Sequence, residues 1–120
     1  MIGSYKDLKV YAKTYEYALS IHRISLTFPQ QEQYELGSQI RRATKSIPLN
    51  IAEGYGKRES VAEFRRYLSM SIGSCDEVRV LLEFCKDLSY ISAAQHAEYV
   101  QAYDEAGKML ASLAQNWKKF

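Results

Sequence analysis

Seven cations fall between Arg41 and Arg66, and they come in clusters: Arg41, Arg42 and Lys45, then Lys57 and Arg58, then Arg65 and Arg66. An arginine offers a planar fork of donors that matches a phosphate, and clustered cations bind a polyanion by releasing its counterions. This set is therefore a candidate for contact with an RNA or DNA backbone. The same charges would also serve as a solvated face, or as ion pairs with a protein partner. A second constellation, Gln39, Ser46, Asn50 and Glu53, lies near the edge of the apolar face of the same segment. Side chains so placed need hydrogen-bonding partners, and a symmetric subunit contact is one way to supply them.

Other chemistry is thinly represented. His22 and His96 have no ligand at helical spacing, and Leu19 and Ala93 stand where a Glu-x-x-His metal motif needs its carboxylates. Gly54-Tyr55-Gly56 follows no strand, so it reads as a helix stop and chain reversal rather than a phosphate loop. Asn50 and Glu53 lack an accompanying base or nucleophile. Cys75 and Cys85 lie on one helix and, at about 1.5 Å of rise per residue, are too far apart for a disulfide. Both read as small buried hydrophobes, a usage that suits a reducing compartment. The expectation is a protein without catalytic residues, metal or cofactor.

The elements that carry these residues are helical. Leu36, Ile40, Ala43, Ile47 and Ile51 recur at spacings of three and four, with the basic stripe off that face. Pro48 interrupts the segment and predicts a kink or a restart. A preceding helix has Leu8, Tyr11, Ala12, Tyr15, Ala18, Leu19, His22 and Leu26 as its apolar stripe, and stops at Phe28-Pro29. Ser60-x-x-Glu63 and Ser92-x-x-Gln95 are capping boxes that open two further helices. Small residues at Ser69, Ser71, Gly73 and Ser74 predict close approach of another helix to the third. Lys118 and Lys119 would complement the last helix's dipole. The spacing predicts one domain over residues 1–120, with helices over about 7–27, 33–55, 60–88 and 92–118. Four long helices with short links imply an all-α, antiparallel, up-down-up-down four-helix bundle.

The charge is bipolar rather than uniformly basic. Residues 41–75 hold seven basic and three acidic side chains, whereas residues 76–105 hold two basic and seven acidic. Such a surface binds an anion on one side, or a copy of itself. Ten tyrosines are too many for one bundle face, so some should lie in a subunit interface or stack on bases. No apolar run has the roughly 18 residues needed to span a membrane, and no apolar signal region opens the chain; a cytoplasmic location is expected.

Asp7-Leu8-Lys9-Val10, the Phe28-Pro29 stop, the run from Gly37 to Arg58, Glu63-Phe64, Gly73-Ser74 and Glu77 together resemble the 23S ribosomal RNA intervening-sequence protein family. The resemblance covers helices 1 to 3, roughly residues 5–91, is specific over Gln39 to Arg58, and follows only length and pattern over helix 4. Tyr11 stands where the family often has tryptophan, and Leu49 where a smaller residue is common. The resemblance implies a bundle assembled as a ring-like homopentamer, without known enzymatic activity and with a nucleic-acid association. It places Arg41, Arg42 and Lys45 as candidate backbone-binding residues and Asn50 and Glu53 as a structural polar pair. A similar bundle is the accessory protein of retroelements, where it partners a reverse transcriptase. That gives a second reading, a protein-interaction scaffold or accessory subunit for a nucleic-acid enzyme.

Overall fold

A computed structural model describes residues 2–118. Four helices make up the bundle: α1 (Lys9–Ser25), α2 (Leu36–Gly56), α3 (Val61–Asp87) and α4 (Ala93–Asn116). Short 3₁₀ turns at Tyr5–Asp7 and Gln30–Glu32 precede α1 and α2, and no strand occurs among the described residues. The body measures 49 × 24 × 21 Å, one helix length by two helix diameters. The helices touch in a cycle, α1 to α2 to α3 to α4 and back, with α2 against α3 the most extensive pair and α1 against α4 the thinnest.

The apolar periodicity of α2 is buried as its spacing requires, with Ile40, Ile47 and Ile51 fully inside. Pro48 neither ends nor restarts this helix, which runs unbroken to Gly56. Side chains serve the carbonyls around it: Ser46 donates to Ala43 (2.7 Å), Asn50 to Ser46 (2.8 Å) and Ser71 of α3 to Ile47 (2.9 Å). These bonds satisfy backbone acceptors in the region that proline disturbs.

The inward seam of α1 differs from the expected stripe. Val10, Thr14, Ala18, Ile21 and Ser25 are buried, whereas Ala12, Tyr15 and Leu26 are exposed. Two members of the true seam carry hydroxyls, which an apolar-only pattern discards. Thr14 and Ser25 are admitted because each donates to its own helix, to the carbonyls of Val10 and His22, both at 2.7 Å.

Gly54 and Gly56 lie inside α2 and do not reverse the chain. A Cβ on Gly54 would meet the Cβ of Tyr67 at 2.6 Å, so this glycine lets α3 approach α2 closely. On α3, Ser71 is buried and Ser74 bonds Ser46 across the interface at 2.7 Å, but Ser69 and Gly73 point outward. Only half of the small-residue set therefore serves helix approach.

The caps also depart in part from expectation. Ser92 and Gln95 form a full capping box, as do Ser4 and Asp7. Ser60 accepts from the Glu63 amide, but the Glu63 carboxylate turns to Arg66 instead of closing the box. α4 ends at Asn116, short of the expected 118; of the two lysines proposed for its dipole, Lys119 lies outside the described residues.

Candidate nucleic-acid interface

The seven cations separate into two kinds. Four are bonded within the chain, while Lys57, exposed and without a side-chain hydrogen bond or ion pair among the described residues, only approaches a tyrosine ring. Arg41 is half-buried at the α1–α2 corner, where its guanidinium donates to Ser25 Oγ (2.9 Å), Gln33 Oε1 (3.3 Å) and the Gln33 carbonyl (2.6 Å). Gln33 in turn donates to the carbonyls of Ser25 and Phe28 at 2.8 and 2.9 Å, so Arg41 is the hub of the turn. Arg58 lies over the Tyr55 ring at 4.1 Å and donates to the Tyr55 carbonyl, closing the end of α2. Arg65 reaches the carbonyl of Ala114 near the end of α4 at 2.7 Å. Arg66 pairs with Glu63 at 2.9 Å and sits over Tyr67, which Lys57 also approaches at 5.9 Å. That pairing holds the Glu63 carboxyl below its usual range.

Arg42 and Lys45 are the exception. Both are exposed, and neither makes a side-chain hydrogen bond or ion pair among the described residues. The fold adds a cation that local sequence gave no reason to include, Arg23 on α1. Burial, followed by the charges of Lys45, Arg41 and Arg23, holds His22 below the usual imidazole range. Arg23, Arg41 and Lys45 thus share the α1–α2 face around His22, in addition to the cations of the α2–α3 turn. The only signal for this grouping was the inferred neighbourhood of two helices, which spacing within one helix does not contain.

Beside Lys45 lies an open groove of 370 Å³. Tyr5, Tyr11 and Tyr15 form one wall, Pro48, Leu49 and Ala52 the other, and Lys45 is its single charged lining residue among the described residues. The tyrosines form a ladder: Tyr5 stacks on Tyr11 with centroids 4.9 Å apart, and Tyr11 meets Tyr15 at 5.9 Å. Tyr17, by contrast, points into the α1–α4 interface against Tyr99 and Tyr103.

The polar seam splits as well. Ser46 and Asn50 are half-buried and bonded within the α2–α3 interface. Gln39 and Glu53 are exposed and make no side-chain hydrogen bond or ion pair among the described residues, so they are not edge groups satisfied by the fold. On α3 and at its C-cap, Met70, Val80, Phe84 and Leu88 leave 44%, 54%, 56% and 49% of their surface exposed, which puts apolar side chains on the outside of the bundle.

Neither cysteine is arranged as an activated nucleophile. Burial pushes the Cys75 thiol up to about 12 and the Cys85 thiol up to about 11, and both cysteines are free. No trio of His, Cys, Asp or Glu is placed to hold a metal ion among the described residues, and no helix there is long and apolar enough to cross a membrane.

Comparison with known proteins agrees with this architecture. The family model described as "23S rRNA-intervening sequence protein" matches residues 6–112. A crystal structure of a protein of unknown function from the S23 ribosomal protein family of Bacteroides thetaiotaomicron superposes with a TM-score of 0.79. It is 26% identical, and the alignment covers 89% of this chain and 96% of that one. No curated protein matches the chain significantly.

Proposed function

The chain belongs to the 23S rRNA-intervening sequence protein family, and from that premise we propose that it is a non-enzymatic, homo-oligomeric bundle that binds the phosphate backbone of RNA or DNA. The observation that carries this reading is the pair of exposed cations Arg42 and Lys45, which make no side-chain hydrogen bond or ion pair among the described residues, with Lys45 and Arg23 both acting on His22. Neighbouring arginines that are satisfied internally have no such freedom. Phosphate contact of this kind needs no base readout and is sensitive to salt.

The helices run antiparallel in this reading, up-down-up-down. Contacts along α2 and α3 support it, since Gly54 approaches Tyr67, Ser46 bonds Ser74, and Gln39 shares a surface hollow with Leu81 and Phe84. The oligomer is a ring of protomers, with a pentamer as the family expectation, and its work is cytoplasmic. The exposed strip on α3 supports a protein contact. It equally favours the second reading, in which that strip docks on a nucleic-acid enzyme such as a reverse transcriptase.

The test is fluorescence anisotropy with labelled oligonucleotides over a salt series. With Arg23, Arg42 and Lys45 neutralising three phosphates of a single strand, log K should fall with log salt at a slope of about −2. Arg42→Glu/Lys45→Glu should weaken binding at least about tenfold. Unchanged affinity in that variant would remove this surface from the reading.

A further inference from the structure

The groove beside Lys45 has a wall that backbone contact alone does not require. Tyr15 is 47% exposed and Leu49 59% exposed, so two large apolar side chains face solvent across a concavity. The tyrosine ladder has a hollow on each side, and the two hollows differ in charge. The outer one is bordered by Lys6 and Glu16, while the α2 side carries, among the described residues, the charge of Lys45 alone. An occupant of the α2 side should therefore join a flat apolar body to an anion. A nucleotide of a single strand does both, because every base has a π-face and every link a phosphate. A duplex keeps its bases stacked inside and offers the groove nothing but phosphate.

We propose that the α1–α2 groove takes an unpaired base of a single-stranded RNA or DNA, stacked against the Tyr5–Tyr11–Tyr15 wall, with the adjoining phosphate held by Lys45 and Arg42. This rests on the nucleic-acid reading above and adds a preference to it. Binding is selective for unpaired strands, and the selectivity resides in the aromatic wall and not in the cations. Glu16 on the far side of the ladder repels phosphate and favours the α2 side.

Labelled oligo(U), oligo(dT) and a matched duplex DNA are the probes, and they bind the natively purified protein in an anisotropy titration. Both single strands should bind more tightly than the duplex, and the ratio of the two reports any choice between RNA and DNA. Tyr15→Ala should lower single-strand affinity by about five- to a hundredfold while leaving duplex affinity and the salt slope as they were. Tyr15→Trp should keep the single-strand affinity, and its added emission should be quenched by the bound strand. Leu49→Glu should lower single-strand affinity at unchanged particle mass.

The proposal is overturned if Tyr15→Ala binds single strands like the parent while Arg42→Glu/Lys45→Glu does not, and the backbone-binding reading survives that result. A changed mass in Leu49→Glu overturns it differently, by making the groove a contact between copies. Failure of all three probes to bind would remove both readings together.

Discussion

Arg41 and Arg42 are adjacent in the chain and have opposite roles. One faces the α1–α2 corner and bonds Ser25 and Gln33; the other faces water and bonds no partner among the described residues. Helical periodicity put both on one basic stripe, because 100° of rotation does not report what a third segment brings alongside. The partners of Arg41 lie 16 and 8 residues earlier, across a turn whose path the sequence leaves open. The same limit hid Arg23. Arg41→Ala should therefore cost about 1–3 kcal/mol, because it strips donors from partly buried acceptors. Arg42→Ala should stay within about 0.5 kcal/mol of the parent. Denaturant titration separates them: a midpoint for Arg41→Ala equal to the parent's would show that the corner does not depend on it.

Elements were the most legible level. Four helices, their order and the burial of Ile40, Ile47 and Ile51 follow from apolar spacing, because a helix must bury one stripe. The errors came where polar atoms enter the core, as at Thr14 and Ser25, or where a residue's smallness serves packing and not chain reversal, as at Gly54. The end of α3 shows a cap with an unusual residue. Ser89 adopts φ 66°, the amide of Tyr90 bonds the Cys85 carbonyl at 2.8 Å, and that of Ser89 bonds Lys86 at 2.9 Å. This is a Schellman stop, which glycine occupies without the steric cost of a Cβ in the left-handed region. Ser89→Gly should stabilise the protein by about 0.5–1 kcal/mol, read as a higher melting temperature. A lower one would mean that the Ser89 side chain earns its place through a contact not visible in the protomer.

At the scale of the whole molecule, charge and apolarity make competing claims on the same assembly. A ring joins two different faces of each protomer, so it can be closed by the basic α1–α2 face of one copy on the acidic side of the next. Glu77, Glu83 and Glu98 make no ion pair among the described residues and would be available for it, whereas Asp76 and Asp104 are engaged by Arg79. A ring closed in that way would cover Arg42 and Lys45 and leave no cations for phosphate. A ring closed by the strip of Met70, Val80, Phe84 and Leu88 on a face other than α1–α2 leaves them free. The two arrangements respond oppositely to salt, since screening weakens exposed ion pairs and leaves apolar burial intact. The backbone-binding reading requires the second. Light scattering should find a particle larger than the protomer that keeps its mass in 1 M salt, where the Debye length is only about 3 Å. Phe84→Glu should reduce it to the 13.8 kDa protomer with its helical content intact. A particle that dissociates in salt and ignores Phe84→Glu would place the cations between subunits, and nucleic acid would then have to compete with the ring for them.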